Sequence, residues 1–197
     1  MKSFGNVVSL NHALLSQVIK PGMTALDATC GNGYDSIFIA SLLKDHGSLT
    51  VMDIQAEAIQ STAKKLAENG FIDTHKDLKI NFIQDSHNHI NQYFVASSID
   101  VCIFNLGYLP GGDKTITTKV STTLEAVKQT LICMKSGGIL LVICYPGHSE
   151  GMAEKEALTI LLNQLPQKQY DVSFTSFINQ RGQPPVMWLI EKKESVV

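Results

Sequence analysis

Residues 24–36 read Thr-Ala-Leu-Asp-Ala-Thr-Cys-Gly-Asn-Gly-Tyr-Asp-Ser, and this stretch decides the fold. Its first part is a short apolar segment that predicts a buried β-strand ending at Asp27. Gly31 and Gly33 then permit a positive φ or a close backbone approach, and a helix is expected to begin near Tyr34. The unpaired N–H groups at the start of such a helix point back toward the turn and favour a ligand there. The stretch therefore predicts a nucleotide-type binding site.

Asp27 discriminates between the possible ligands of this turn, because its carboxylate stands shortly before the glycines. A pyrophosphate would be repelled by the carboxylate, whereas a ligand that carries an ammonium and a sulfonium would be attracted. S-adenosylmethionine is such a ligand. The dinucleotide pattern G-x-G-x-x-G fits less well, because Ser36 occupies the position of its third glycine. Two glycines after an apolar run are also compatible with an ordinary turn. The elements that follow in the sequence have to distinguish a cofactor site from such a turn.

The next two predicted strands also end in polar residues. Residues 48–53 end in Asp53, 20 residues after Gly33, where a carboxylate can accept hydrogen bonds from both hydroxyls of a ribose. A third strand over residues 78–83 brings the polar residues after it to the same edge of the sheet. These residues are Gln84, Asp85, Ser86 and His87. Three polar strand ends at one edge favour a cofactor site over an ordinary turn.

The rest of the chain alternates helical and strand patterns. Helices are predicted over residues 8–19, 37–43, 55–69, 117–134 and 150–165. Buried strands are predicted over 98–104 and 139–144, with a turn at Gly137-Gly138, and two final strands over 170–177 and 186–191 have no helix between them. The pattern predicts an α/β fold, a doubly wound, seven-stranded Rossmann-like sheet with a C-terminal antiparallel hairpin. That hairpin favours the methyltransferase variant of the fold over a dehydrogenase domain.

Length and composition limit the number of domains and the classes of protein to which the chain can belong. The chain has 197 residues with 16 basic and 18 acidic side chains, so its formal charge is −2 and no global positive field recruits nucleic acid. We expect a single domain over residues 1–197. The four cysteines are far apart and form no C-x-x-C pair, which indicates reduced thiols. No apolar run approaches 18 residues, so we expect a cytoplasmic protein without a membrane span.

Four segments resemble successive motifs of class I S-adenosylmethionine-dependent methyltransferases. They are residues 27–33, 53–55, 85–87 and 105–114. More narrowly, they resemble the small bacterial proteins labelled rRNA methylases, a family associated with methylating the aminomethyl group of 5-aminomethyl-2-thiouridine at the tRNA wobble position. The resemblance implies two partners. One is tRNA, bound through its anticodon loop, and the other is a second copy of the chain in a homodimer. One departure is visible, because Thr29 occupies the usual first glycine position of the turn.

The resemblance also implies which residues touch the cofactor. Asn32 and the turn backbone, which includes Cys30, Gly31 and Gly33, would face the methionine moiety. Asp53 would bind the ribose and Gln55 would lie at the adenosine flank. Asp85, Ser86 and His87 would border the adenine, where a carboxylate can accept a hydrogen bond from the exocyclic amine.

Methyl transfer from a sulfonium is an in-line displacement, so the protein mainly positions the nucleophile and keeps it unprotonated. Asn105, at the end of the fourth strand, can accept a hydrogen bond from an amine, although a loop-capping asparagine is the simpler alternative. Tyr108 can stack on a base or form part of the pocket wall. His148, after the fifth strand, can act as a general base or be an exposed loop histidine.

Substrate contacts are expected from Lys114, Tyr145 and Arg181, the two cations as phosphate contacts and the tyrosine as a stacking group. Solvated surface charges are the alternative for both cations. His87 and His89 have no partner at convincing metal-ligand spacing, so no metal is expected. Three other functions stay open: an rRNA base methyltransferase, a nicotinamide-dependent oxidoreductase that would share Asp53, and a non-catalytic cofactor-binding module.

Overall fold

The computed structural model describes residues 5–72 and 77–194. The strands are β1 (Thr24–Asp27), β2 (His46–Asp53), β3 (Asp77–Gln84), β4 (Ile99–Asn105), β5 (Met134–Cys144), β6 (Tyr170–Thr175) and β7 (Val186–Lys192). The helices are α1 (Val7–Val18), α2 (Tyr34–Leu43), α3 (Ala56–Glu68), α4 (Ile90–Tyr93), α5 (Val120–Cys133) and α6 (Ser149–Asn163), and a 3₁₀ turn covers His87–His89. Among the described residues no helix is long and apolar enough to span a membrane.

The seven strands form one sheet in the order β3-β2-β1-β4-β5-β7-β6. Strands β1 to β5 are parallel, whereas β7 runs antiparallel between β5 and β6. This confirms the α/β class, the seven strands and the C-terminal antiparallel hairpin. The strand order reverses at β1, where successive connections leave in opposite directions across the sheet, and ligands bind outside the carboxyl ends of the strands at such a point.

Two apolar cores lie on the two faces of the sheet. Helices α1, α2 and α3 cover one face with buried residues such as Leu15, Ile39 and Leu66, and helices α4, α5 and α6 cover the other. Successive residues of β4 point alternately into the two cores, as Ile103 and Phe104 show. A strand that is buried on both faces has to be apolar throughout, which explains the nearly continuous apolar runs of β4 and β5.

Apart from shifts of up to three residues at the ends of elements, the structure differs from the sequence-based expectation in two places. Gly137 and Gly138 lie inside β5, which begins at Met134 and pairs with Ile99, rather than in a turn before the strand. Gly137 has a φ of 75°, and the pairing register shifts between Ile99 and Val101, so the glycines allow an irregularity within the strand. The short helical segment over residues 87–93 was not predicted, because it is too short to show an apolar period.

Candidate active site

The carboxyl ends of the parallel strands form one edge of the sheet. The register aligns Asp27 of β1 with Val51 of β2 and Ile103 of β4, and it aligns Asp53 with Gln84 of β3. The polar residues that end or follow these strands therefore lie along the same edge. This arrangement is the one that the sequence predicted for the acidic strand ends.

The turn between β1 and α2 passes tightly against α3. Gly33 has a φ of 81°, and a Cβ at this position would lie 2.9 Å from the Cα of Thr62. The Thr62 hydroxyl donates to the carbonyl of Gly31 at 3.2 Å, and the Lys65 ammonium donates to the carbonyl of Asn32 at 2.6 Å. Gly33 caps α2 without a side-chain hydrogen bond. The first N–H groups of α2 thus remain available for a ligand at the turn.

Asp53 holds this turn in place. Its Oδ2 accepts a hydrogen bond from the N–H of Gly31 and its Oδ1 accepts one from the N–H of Gln55, both at 3.0 Å. Burial raises the pKa of Asp53, and backbone hydrogen bonds, led by the one from Gln55, oppose that shift. A carboxylate has about four acceptor positions, so Asp53 can still accept hydrogen bonds from a ribose. Gln55 stands at the start of α3 beside it.

Asp27 lies behind the turn, with only 1% of its surface exposed. Its Oδ2 accepts a hydrogen bond from the Ser36 hydroxyl at 2.5 Å, and Thr29 donates its N–H to Oδ1 at 3.3 Å. Burial, together with the charge of Asp35, raises the pKa of Asp27 from 3.8 to about 7. Because Asp27 is buried, its negative charge would attract a cationic ligand through the electrostatic potential at the turn rather than through direct contact.

The other turn residues are already engaged within the chain. The N–H of Cys30 donates to Met52 at 3.0 Å, its carbonyl accepts from Gly33 at 2.8 Å, and burial raises the pKa of its thiol. The Asn32 side chain donates to the carbonyl of Pro110 at 3.1 Å and so connects the turn to the segment after β4.

Asp85 is the centre of a small network after β3. Its Oδ1 accepts from the N–H of Ser86 and lies 2.9 Å from Nδ1 of His89, and its Oδ2 accepts from the Tyr93 hydroxyl at 2.8 Å. These bonds, led by the one from Tyr93, lower the pKa of Asp85. His87 is buried against Phe104, and burial lowers its pKa to about 4. Its Nε2 has no hydrogen-bond partner in the described part of the chain.

A second carboxylate network was not foreseen from the sequence. Asp35, in the first turn of α2, accepts from Nδ2 of Asn105 at 3.2 Å through Oδ2, and its Oδ1 lies 2.7 Å from Nε2 of His12. Tyr145 also lies here: burial and the Asp35 charge raise its pKa, and a hydrogen bond with Asn105 opposes the shift. Because His12 and Asp35 are 23 residues apart in sequence, no local pattern could indicate their contact.

His148 has a structural role that the sequence did not indicate. It is the N-cap of α6, and its Nδ1 accepts a hydrogen bond from the N–H of Gly151 at 3.1 Å. Because a backbone N–H can only donate, the neutral ring carries its proton on Nε2, which is buried and has no partner among the described residues. The ring of His148 thus carries an N–H donor that the described residues do not use. Its role as a general base stays a prediction.

A cavity of about 290 Å³ lies beside His148. The cavity is lined by Gly147, His148, Ser149, Met152 and Gln183. The ring of Tyr108 lies 5.9 Å from that of His148, and the Lys114 ammonium lies 5.5 Å from the Tyr108 ring. Arg181 is exposed in the loop between β6 and β7, two residues before Gln183. No group of three or more metal-ligating side chains is found within residues 5–72 and 77–194.

The residues of the edge fit S-adenosylmethionine. The glycine turn leaves no space for a Cβ at Gly33, and the Asp53 carboxylate with free acceptor positions has two neighbouring acids, Asp27 and Asp35. These features suit a nucleoside ligand that carries positive charge. Together with a sheet in which β7 runs antiparallel, they define a class I methyltransferase that uses S-adenosylmethionine. The chain belongs to the family described as "Putative rRNA methylase", whose model matches residues 49–191.

Three relatives support this assignment. A "putative rRNA-methylase" from Clostridium thermocellum is 37% identical, with a TM-score of 0.90 over 96% of this chain and 99% of that one. A "putative methyltransferase" from Streptococcus mutans, solved in complex with SAH, is 33% identical, with a TM-score of 0.82 over 96% and 99%. The "tRNA (mnm(5)s(2)U34)-methyltransferase, chloroplastic" of Arabidopsis thaliana is 31% identical over an alignment of 190 residues that covers 93% of this chain and 68% of the relative. These findings favour a methyltransferase over a nicotinamide-dependent oxidoreductase.

Replacement of Asp53 by Asn should weaken S-adenosylmethionine binding tenfold to a hundredfold, because charge-assisted hydrogen bonds to the ribose contribute about 1.5–3 kcal/mol. Isothermal titration calorimetry measures the affinity, and Asp171→Asn on the exposed strand β6 is the matched control. An unchanged affinity in Asp53→Asn would show that Asp53 does not bind the cofactor.

Asp27 should make stability depend on pH. Its pKa is raised from 3.8 to about 7, so the folded protein keeps a proton that the unfolded chain loses, and its contribution to the free energy of unfolding declines over this interval as pH rises. Between about pH 5 and pH 8, the free energy of unfolding of Asp27→Asn should therefore rise by about 2–3 kcal/mol relative to that of the wild type. Urea unfolding of both proteins at each pH measures the difference. A constant difference would contradict the raised pKa.

Proposed function

We propose that this protein N-methylates the aminomethyl group of 5-aminomethyl-2-thiouridine at the wobble position of tRNA. The chloroplastic relative named as a tRNA (mnm(5)s(2)U34)-methyltransferase supports this substrate. The observation that carries the proposal is the bond between Asp35 and Asn105 at the end of β4. A carboxylate and an amide at this edge provide the acceptors and the negative charge that suit an alkylammonium.

Asn105 orients the nucleophile in this proposal. Its Nδ2 donates to Asp35, which leaves Oδ1 to accept a hydrogen bond from the substrate amine. Its backbone N–H donates to the Thr29 hydroxyl at 2.7 Å, so the position of Asn105 is coupled to the turn after β1. An amine held in this way keeps its lone pair directed away from the amide, toward the turn.

The cofactor site in this proposal uses the residues of the turn and of the next two strand ends. They are Cys30, Gly31, Asn32, Gly33, Asp53, Gln55, Asp85, Ser86 and His87, with Asp27 acting from behind the turn. When bound, S-adenosylmethionine supplies the methyl group. The protein positions the acceptor and limits access of water.

The base is proposed to lie between the segment after β4 and the segment after β5. Tyr108 is 39% exposed, with Lys114 near its ring, so it can stack on an unpaired base while the lysine contacts phosphate. His148 lines the adjacent cavity, and the half-buried Tyr145 and the exposed Arg181 supply the remaining substrate contacts in this proposal. An anticodon loop suits this surface because its bases are unstacked without opening a duplex.

The formal charge of −2 gives no general attraction to RNA, so phosphate contacts have to come from local cations. We propose that a homodimer supplies some of them from the second copy, and that the protein acts in the cytoplasm as one domain. An rRNA base is the second candidate substrate, because the matching family model carries the description "Putative rRNA methylase".

Asn105→Ala should lower kcat by at least tenfold while the affinity for S-adenosylmethionine stays within about twofold, since an interaction with the nucleophile is lost and the cofactor contacts remain. Steady-state kinetics and calorimetry measure the two quantities. Asn81→Ala on the exposed strand β3 is the control. Equal losses of rate and of affinity would make Asn105 a cofactor residue instead.

The substrate itself is tested with tRNA that bears unmethylated 5-aminomethyl-2-thiouridine. Incubation with the protein and S-adenosylmethionine should add the mass of one methyl group to that nucleoside, measured by mass spectrometry after digestion. The matched control is the same tRNA with an unmodified wobble uridine, which has no amine and should gain nothing. Methylation of rRNA without methylation of this tRNA would refute the proposed substrate and support the second candidate.

A further inference from the structure

The Asp35 carboxylate joins two elements that are distant in sequence. One oxygen lies 2.7 Å from Nε2 of His12 on α1, and the other accepts the Asn105 amide at 3.2 Å. Asn11 also donates to the first oxygen at 3.4 Å. His12 and the proposed amine-binding residue Asn105 are therefore hydrogen-bonded to the same carboxylate.

The contact with Asp35 sets the state of the imidazole. An ionised carboxylate only accepts hydrogen bonds, so Nε2 of His12 carries a proton, and in the neutral ring the free lone pair is on Nδ1. The ring stacks on Phe38 at 3.9 Å with an interplanar angle of 5°, which holds its orientation. Nδ1 has no hydrogen-bond partner among residues 5–72 and 77–194, and 26% of the side chain is exposed.

The proposed reaction needs a proton acceptor. A free alkylamine resembles the lysine side chain, with a pKa of about 10.4, so it is almost wholly protonated at neutral pH. An ammonium has no lone pair and cannot attack a methyl group. One proton therefore has to leave the nitrogen before methyl transfer, and a nearby base with an available lone pair can take it.

We propose that His12 is this base, held in the reactive tautomer by Asp35, an inference that rests on the proposed function. The N–H bond of the ammonium breaks and its electron pair stays on nitrogen, ready to bond to the methyl carbon. The proton bonds to Nδ1 of His12, directly or through one water, and then passes to solvent. The carboxylate of Asp35 stabilises the imidazolium between these steps.

His12 suits this task better than His148. The Nδ1 lone pair of His148 is occupied by the Gly151 N–H, and acceptance of a proton there would break the cap of α6. Nδ1 of His12 has no competing partner in the described residues, and a carboxylate already compensates the charge that a second proton would create.

Other ionisable groups near His12 have to be considered when the rate is measured against pH. Asp35 faces it from α2, Asp27 interacts with Asp35 from behind, and Tyr145 lies near Asp35 at the end of β5. Helix α1 carries no acidic side chain in its first turn and no basic one in its last turn. Asp27 titrates near pH 7, so measurements above about pH 8 lie beyond its transition.

The test is the pH dependence of kcat on the aminomethyl tRNA for wild type, His12→Ala and His12→Gln. At about pH 7.5 both variants should lose 10²- to 10⁴-fold in kcat, while their affinity for S-adenosylmethionine stays within about twofold. Between about pH 8 and pH 9.5, the loss of kcat relative to wild type should become smaller by up to about tenfold for each pH unit, because the amine then loses its proton without a base from the protein. His12→Gln can still donate to Asp35, so a purely structural role would be rescued by it.

The control is another histidine that faces an aspartate. Nδ1 of His46 lies 3.5 Å from Asp77, at the amino ends of β2 and β3 and therefore at the opposite edge of the sheet. His46→Gln should retain the wild-type rate at every pH. Asp35→Asn, which keeps the side-chain shape, gives a second route if His12 variants unfold in thermal melts, and it should lose at least tenfold in kcat with the same partial recovery at high pH.

The outcomes separate the two proposals. A loss in His12→Ala that is equal at all pH values, full activity in His12→Gln, or wild-type kcat in Asp35→Asn would overturn the role of His12 while wild type still methylates the tRNA. Absence of methylation by wild-type protein, with S-adenosylmethionine binding intact, would overturn the proposed substrate and the base assignment with it.

Discussion

The close passage of the turn after β1 beneath α3 is the constraint on which the site depends. At Gly33 a side chain would collide with the backbone of Thr62, and the positive φ there starts α2 without a capping side chain. This geometry fixes where the first turn of α2 stands. Asp35 is in that turn, so the position of one glycine also sets the position of the carboxylate that joins His12 to Asn105.

Three acids lie close together around the turn, and their environments give them different tasks. Asp53 is fixed by two backbone amides and keeps acceptor positions for a ribose. Asp27 is fully buried, so its ionisation is costly. When it is charged, its carboxylate contributes negative potential to the turn. Asp35 is shared between a histidine and an amide. Such a concentration of negative charge is unfavourable in an empty protein and favourable for a cofactor that carries a sulfonium and an ammonium.

The sequence allowed the fold to be predicted because its signals are local. Apolar runs, glycine turns and acids at strand ends such as Asp53 are visible in short windows, and the parallel topology then places them at one edge. The His12–Asp35 contact joins two helices and has no local signal. The capping role of His148 depends on how the chain enters α6, and the position of Gly137 inside β5 depends on pairing with β4. These are tertiary effects that override local preference.

In the proposed reaction, the edge of the sheet near Asn105 and Asp35 binds the amine of a wobble nucleoside next to the cofactor. A crystal structure of the protein with SAH and an anticodon stem-loop that bears 5-aminomethyl-2-thiouridine tests this most directly. We expect the aminomethyl nitrogen within hydrogen-bonding distance of Oδ1 of Asn105, with the SAH sulfur between that nitrogen and the Gly31–Gly33 turn. A wobble base that remains stacked in the loop, or an amine bound away from Asn105 and Asp35, would contradict it.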